Sequence, residues 1–140
     1  MYRFQQRQAR EEGFTLIELL VVLLIIGILL SIAIPSYLGF QKKAEQVAAA
    51  SDVRTAVPDA EAFYSDNGSY ATLSIANLQT YDSGLVAFSG STPGIKTAKG
   101  GATKYCISAD DSGWYAHIVG PGGQVSSPEA SDFCATWTPS

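Results

Sequence analysis

The feature that most constrains this chain is an apolar run, which extends from Phe14 to Ile34 and reads FTLIELLVVLLIIGILLSIAI. Its 21 residues are enough to cross the hydrocarbon core of a bilayer as a helix. The run contains one carboxylate, Glu18, four residues after its start, and it begins abruptly after Gly13. A carboxylate among lipid tails is costly unless it finds a partner, so Glu18 is a candidate functional residue. The alternative is a glutamate that reaches the lipid headgroups and has no further role.

The polar segment before the run is short and reads MYRFQQRQAREEG. Its three arginines outnumber its two glutamates, and the positive-inside rule therefore predicts that this end stays in the cytoplasm. Two lysines, Lys42 and Lys43, lie on the other flank and reduce that asymmetry. No small-residue cleavage site of the secretory type follows Ile34, so we expect the apolar segment to be retained after export.

A helical pattern continues beyond the apolar run. Apolar residues recur at steps of three or four from Phe40 to Tyr64, which predicts one helix from about Phe14 to Ser65, roughly 75–80 Å long. Asn67-Gly68 is a plausible end of this helix. Proline removes a backbone donor, so Pro35 and Pro58 are expected to bend or break it, and the segment from Gly27 to Pro35 is predicted to be its least stable part. The alternative is a kinked helix that keeps its other hydrogen bonds.

The rest of the chain is rich in Gly, Ser and Thr and contains short β-favouring runs. We predict strands at 85–88, 104–109, 114–119 and 132–137, with DDSG as the turn of a hairpin between the second and third. The polar stretch 89–101 is predicted to be an exposed loop. Together these patterns predict an α+β fold, in which the second half of the long helix packs on a small antiparallel sheet.

The two cysteines, Cys106 and Cys134, lie in the part of the chain predicted to be exported. An even number of cysteines in an exported domain predicts a disulfide, whereas two free buried thiols would fit a cytosolic domain. The net charge of −4 argues against general nucleic-acid binding, although not against a small basic patch.

No convergent set of catalytic residues is visible, and we predict neither an enzyme nor a cofactor. His117 is the only histidine, and it is predicted to be structural or exposed, because one histidine with two bridged cysteines cannot form a usual zinc site. Asp110 and Asp111 are predicted to be turn residues rather than calcium ligands. Tyr64 and Tyr70 are expected to pack, with Phe63, where the helix meets the sheet.

The GFTLIE core, followed by an apolar run that is interrupted by a proline, resembles the N-terminus of a type IV pilin or prepilin, with the pseudopilins of type II secretion systems as near relatives. The resemblance is close over residues 10–40. It implies that a prepilin peptidase removes residues 1–13 by cutting between Gly13 and Phe14, and that Phe14 is then N-methylated. Residues 14–35 would form the membrane and filament-core helix. Residues 36–140 would form the head, with the helix to about 66, a loop at 68–101 and the disulfide-bonded sheet at 102–140.

The resemblance also implies partners and a location. The precursor would span the inner membrane once, and a cytoplasmic ATPase and a platform protein would draw it into a helical homo-oligomeric filament on the cell surface. In that filament Glu18 would face the terminal amine of a neighbouring subunit, and the helix would loosen between Gly27 and Pro35. The implied roles are adhesion, twitching motility or DNA uptake, as a major or a minor subunit. The alternatives are a secretion pseudopilin and a membrane-anchored extracytoplasmic module.

Overall fold

The computed structural model describes residues 13–126 and 128–139, and it divides the chain into two units at Gly39/Phe40. The first unit contains the apolar half of a long helix, and the second unit is an α+β head. The elements in chain order are α1 (Leu16–Asn67), α2 (Ile75–Tyr81), β1 (Gly94–Gly100), β2 (Tyr105–Asp111), β3 (Trp114–Gly120) and α3 (Phe133–Thr136). The predicted fold class, a long helix packed on a small antiparallel sheet, is confirmed.

Helix α1 contains 52 residues and is continuous through Gly27, Pro35 and Pro58. The helix is therefore not broken at either proline. Its continuity supports the alternative of a helix that keeps its other hydrogen bonds. A loosening between Gly27 and Pro35 within a filament stays a prediction. The predicted helix end is confirmed, because α1 ends at Asn67 and Gly68 adopts a φ of 68°, with its N–H donating to the Tyr64 carbonyl oxygen at 2.7 Å.

The sheet has three antiparallel strands in the order β1-β2-β3. The predicted DDSG hairpin is confirmed: Asp111 pairs with Trp114, and both intervening residues have positive φ, 54° at Ser112 and 87° at Gly113. Positive φ at both central positions is the geometry of a tight turn whose twist matches that of the strands. Between β1 and β2 the register shifts at Ile95/Thr97, which places Lys96 in a bulge.

Three predictions for the head are wrong. Residues 85–88 form no strand and make only an isolated bridge from Ala87 to Ile95. The predicted loop 89–101 contains strand β1, and the longer predicted loop 68–101 contains helix α2 as well. Helix α2 is capped by the Ser74 side chain, which accepts from Asn77 N–H at 3.3 Å. Residues 132–137 contain the short helix α3 instead of a strand, because Asp132 caps it by accepting from Cys134 N–H at 3.0 Å.

The core of the head lies between α1 and one face of the sheet. The buried residues of α1 belong to the same apolar cluster as residues of the central strand, which is buried along its whole length. The buried positions of α1 are Ala49, Ala50, Val53, Ala56, Ala60 and Phe63. Four of these six residues are alanines, and the larger Val53 and Phe63 supply most of the side-chain volume that α1 contributes to the core. The opposite face of the central strand carries Cys106, which is bonded to Cys134 next to α3.

Candidate functional site

The junction between Gly13 and Phe14 lies at the start of the described chain, just before α1. Both residues are exposed, and the Phe14 side chain is 88% exposed. A Cβ added to Gly13 would meet no atom within 4 Å, and Gly13 does not adopt positive φ. The described part of the chain therefore gives no internal reason for a glycine at this position.

Immediately after this junction, Thr15 and Glu18 cap the first turn of α1. Glu18 Oε2 accepts hydrogen bonds from the Thr15 amide at 3.0 Å and from the Thr15 hydroxyl at 2.8 Å. In return, Thr15 Oγ1 accepts from the Glu18 amide at 3.3 Å. This is the reciprocal capping box expected of a Thr-x-x-Glu sequence at a helix start. The helix N-terminus also favours a negative charge here.

The capping box leaves part of the Glu18 carboxylate available. All the hydrogen bonds that it makes to described residues use Oε2, and Oε1 makes none of them. The side chain lies among apolar neighbours, including Phe14, Ile17, Val21 and Val22. A carboxylate oxygen without a partner in such surroundings would be stabilised by an amine or another donor from a second molecule.

The apolar half of α1 makes no core with the described part of the chain. Its most apolar 18-residue window has a mean hydropathy of 3.1, and none of that window is buried. By length and composition α1 is a helix that can cross a membrane. The exposed Leu, Ile and Val side chains on all sides of this segment need either lipid or other helices around them.

In the head, Glu61 links α1 to two tyrosines from other parts of the chain. It accepts from the Tyr70 hydroxyl at 2.9 Å through one carboxylate oxygen and from the Tyr105 hydroxyl at 3.1 Å through the other. The Tyr70 and Tyr105 rings are 4.8 Å apart, and the Tyr64 ring lies 4.6 Å from that of Tyr70. The predicted packing of these aromatic residues where the helix meets the sheet is confirmed.

Burial and the adjacent Glu61 carboxylate change the acidity of the two phenols. Burial, followed by the hydrogen bond to Glu61, raises the pKa of Tyr70 to about 12. Burial, followed by the Glu61 charge, also raises the pKa of Tyr105. The sequence does not single out Glu61, which is an exposed residue of α1, because its two partners lie 9 and 44 residues further along the chain.

The outer face of the sheet carries a second polar group. Lys96 Nζ donates to Asp110 Oδ2 at 2.8 Å and to the Tyr115 hydroxyl at 3.0 Å, and it also lies over the Phe88 ring. Asp110 lies near the end of β2 and not in the turn as predicted; its side chain is the buried partner of a cation and also accepts from Gly113 N–H in the turn. The described residues contain no cluster of three potential metal-ligating side chains.

The segment after β3 is attached to the sheet through His117. Its Nδ1 lies 2.9 Å from Ser126 Oγ, and its ring stacks on Phe133 at 4.4 Å. Glu129 pairs with Tyr115 through backbone hydrogen bonds in both directions. His117 thus contacts Ser126 and Phe133, which agrees with the predicted structural role. A disulfide between Cys106 and Cys134, with 28 residues of sequence separation, joins the same segment to β2.

An apolar helix with a capped glutamate in its first turn, followed by a small antiparallel sheet and a disulfide near the C-terminus, defines a pilin-like class of protein. Residues 8–34 match the family described as the prokaryotic N-terminal methylation motif. The chain is 36% identical over 111 residues to the type IV wide pilus major component PilA4 of Thermus thermophilus, covering 75% of this chain and 79% of that protein. The chain belongs to the type IV pilin family.

Similarity within the family extends to both of its branches. The chain is 38% identical over 69 residues to the type IV major pilin protein PilA of Myxococcus xanthus, covering 49% of this chain and 31% of that protein. It is 29% identical over 139 residues to the type II secretion system core protein G of Klebsiella pneumoniae, covering 92% of this chain and 96% of that protein. The chain spans less than half the length of several curated relatives that it matches, including the Myxococcus protein.

Proposed function

We propose that this chain is the precursor of a structural subunit of a type IV pilus. A prepilin peptidase cuts it between Gly13 and Phe14, and Phe14 is N-methylated. The processed subunit resides in the inner membrane with its N-terminus on the cytoplasmic side. A platform protein and a cytoplasmic ATPase then assemble it into a helical filament. The filament serves adhesion, motility or DNA uptake.

The observation that carries this proposal is the position of the junction relative to the capping box. A cut after Gly13 frees the amine of Phe14 but leaves the Thr15 amide intact, so both Thr15 and Glu18 keep their reciprocal hydrogen bonds. A cut one residue later would turn that amide into an amine. The lack of any internal need for Gly13 also supports recognition by a second protein, which would approach the backbone closely at a residue without a side chain.

In the assembled filament, we propose that Glu18 of one subunit pairs with the Phe14 amine of a neighbour. The apolar segments leave lipid and pack against each other, so both charges would lie in a medium of low dielectric constant. Pairing compensates both charges, and the unused Oε1 of Glu18 offers an acceptor for the amine.

The first test is mass spectrometry of the N-terminus of protein sheared from the producing cells. We expect a chain that begins at N-methyl-Phe14 and contains the Cys106–Cys134 bridge. Gly13→Leu should leave a chain that begins at Met1 and stays in the membrane. Gly39→Ala is the matched control, because a Cβ at that exposed helix glycine also meets nothing within 4 Å. Wild-type protein found only in membranes and starting at Met1 would overturn the proposal.

A second candidate function is a pseudopilin of a type II secretion system. The match to core protein G over 92% of this chain favours it. The disulfide and the higher identity to the Thermus pilus component, 36% against 29% for core protein G, favour the pilus subunit. Deletion in the producing cell separates the two functions: loss of surface filaments with normal protein secretion supports the pilus subunit, and loss of secretion with normal filaments supports the pseudopilin.

A further inference from the structure

A groove runs along one flank of α1 in the head, between the helix and the segment after β3. It consists of two adjoining cavities, of about 420 Å³ and 370 Å³, which share Arg54 and Val125. Val47, Val57 and Ile118 form the apolar part of its lining, and Gln46, Gln124 and Ser126 form much of the polar part. From Lys43 to Val57 the groove follows the helix for about 21 Å at 1.5 Å per residue.

The groove carries two positive charges that have no ionic partner in the head. Lys43 and Arg54 are both exposed and line the groove. Among residues 13–126 and 128–139, the side-chain ion pairs within 4.0 Å involve Lys96 and His117 instead. The groove therefore combines apolar and polar lining residues, and it carries two cations without an ionic partner among the described residues.

The other flank of α1 is acidic. Four carboxylates recur at a spacing of seven residues: Glu45, Asp52, Asp59 and Asp66. Seven residues turn a helix by about 700°, within about 20° of two full turns, so these side chains follow one line along the helix. Arg54 is two residues from Asp52 and thus about 200° away around the helix axis. The cationic groove and the acidic line consequently lie on different flanks.

Two aspartates of the acidic flank have raised pKa values. Asp111 lies close to Asp52, and Asp82 lies close to Asp59; burial first, and then the neighbouring charge, raises the pKa of both helix aspartates. The Asp59 Oδ2 atom is buried and has no hydrogen-bond partner among the described residues. A cation brought to this flank from outside would offset the repulsion from the neighbouring carboxylates.

We propose that the groove of one subunit receives the acidic flank of a second copy of this chain, with Lys43 and Arg54 of the first against Asp52 and Asp59 of the second. The two flanks extend over similar stretches of α1, 43–57 and 45–66, so neighbouring heads can meet side by side. Each subunit uses a different patch on each side, and such a heterologous contact continues along a filament instead of closing into a dimer. The inference rests on the proposed filament and specifies how its heads pack.

Charge reversal in the full-length chain, expressed in the producing cells, tests this contact. Arg54→Glu and Asp52→Arg should each lower the yield of sheared filaments by about tenfold or more, because like charges at an interface are disfavoured by several kcal/mol. The double variant should recover most of the wild-type yield, because it restores opposite charges across the contact. Lys104→Glu is the matched control for Arg54→Glu, since it makes the same change in net charge at an exposed residue outside the groove.

The protein that remains in the membrane fraction distinguishes a failure of the proposed function from a failure of the proposed head contact. Each charge-reversal variant should still be cut at Phe14 and retained in the membrane, and its Cys106–Cys134 bridge should form, so that only packing of the heads is affected. Wild-type protein that is not cut would overturn the proposed function. Filaments of Arg54→Glu at the yield of Lys104→Glu, or a double variant no better than the single variants, would overturn the head contact alone.

Cross-linking determines what occupies the groove. The only native cysteines, Cys106 and Cys134, are bonded to each other, so cysteines introduced as Arg54→Cys and Asp59→Cys are the reactive ones. Filaments that carry both substitutions and are treated with a short bismaleimide should give a ladder of covalent oligomers, whereas either substitution alone should give monomers. Dimers from Arg54→Cys alone, or a cross-linked band that contains a different protein, would overturn the proposal.

Discussion

Thr15 and Glu18 hydrogen-bond each other reciprocally at the first turn of α1. The Thr15 hydroxyl and amide donate to Glu18 Oε2 at 2.8 Å and 3.0 Å, and the Glu18 amide donates to Thr15 Oγ1 at 3.3 Å. The carboxylate thus has a structural role in the single chain, before any neighbour is present. Its proposed role in assembly requires the charge, whereas the cap requires only an acceptor oxygen.

Glu18→Gln separates these two roles, because glutamine keeps an acceptor oxygen for the Thr15 amide but has no charge. We expect Glu18→Gln to be as defective in filament yield as Glu18→Ala, while both are still cut after Gly13. Removing one member of a buried ion pair costs about 3–5 kcal/mol, enough to reduce assembly well beyond tenfold. Thr15→Ser keeps the hydroxyl and serves as the control with normal yield. Filaments of Glu18→Gln at wild-type yield would show that the cap, and not the charge, is what assembly needs.

The parts of the structure that were predictable from sequence have strong local signals. The apolar run needs no partner to be recognised, Thr15 and Glu18 are spaced for a capping box, and the DDSG turn lies between two β-favouring runs. Residues 94–100 read as a loop because five of the seven are Gly, Lys or Ala, which are poor strand formers. They form β1 because the buried edge of β2 supplies hydrogen-bond partners along the whole segment.

Two other parts depend on contacts that no local pattern shows. The FCAT segment at 133–136 favours a strand by composition, but the Asp132 cap and the bond from Cys134 to Cys106 hold it as a helical turn. Glu61 reads as an exposed helix residue, because the two tyrosines that donate to it come from other elements. Tertiary contacts therefore override the local preference at 133–136, whereas Glu61 keeps its exposed helical position and only its bonds to the tyrosines could not be predicted.

The disulfide attaches the C-terminal segment to the central strand, and its removal should destabilise the head. For the double variant Cys106→Ser/Cys134→Ser we expect the free energy of unfolding to fall by about 3–4 kcal/mol, from the lost constraint on the unfolded chain. Urea denaturation of the full-length chain in detergent, followed by tryptophan fluorescence, measures this change. Reductant should lower the wild-type midpoint to that of the variant and leave the variant unchanged. Equal midpoints for oxidised wild type and the variant would contradict this role.

Lys96 compensates the charge of Asp110, whose side chain is only 4% exposed. Lys96→Met keeps most of the apolar stem above Phe88 but leaves the carboxylate without its cation. We expect the free energy of unfolding to fall by about 1–3 kcal/mol, the usual cost of an unsatisfied buried polar group. Lys104→Met, at an exposed lysine, should change it by less than about 0.5 kcal/mol. Replacing Asp110 as well, with Asn, should make the effect of Lys96→Met smaller; an undiminished effect would mean that the lysine acts through packing alone.

The tyrosines bonded to Glu61 make the head sensitive to alkaline pH. The pKa of Tyr70 is raised to about 12 in the folded chain, from about 10 when unfolded, because burial and the Glu61 carboxylate disfavour the phenolate. The folded state then holds the proton more tightly, so this stabilisation is fully present below pH 10 and is lost as the pH rises from about 10 through 12. The pKa of Lys96 is also raised, chiefly by its hydrogen bond to Asp110, and contributes to the same decline.

Tyr70→Phe isolates the contribution of one phenol to that decline. Wild-type protein in detergent should lose stability steeply between about pH 10 and 12, and Tyr70→Phe should lose it less steeply, since one proton-binding difference between the two states is gone. Tyr37→Phe is the control and should follow the wild-type curve, because the Tyr37 side chain is 69% exposed in the apolar unit. Urea midpoints at four or five pH values give the slopes. Parallel curves for wild type and Tyr70→Phe would show that the phenol of Tyr70 titrates equally in the folded and unfolded chains, and that its contact with Glu61 does not stabilise the head.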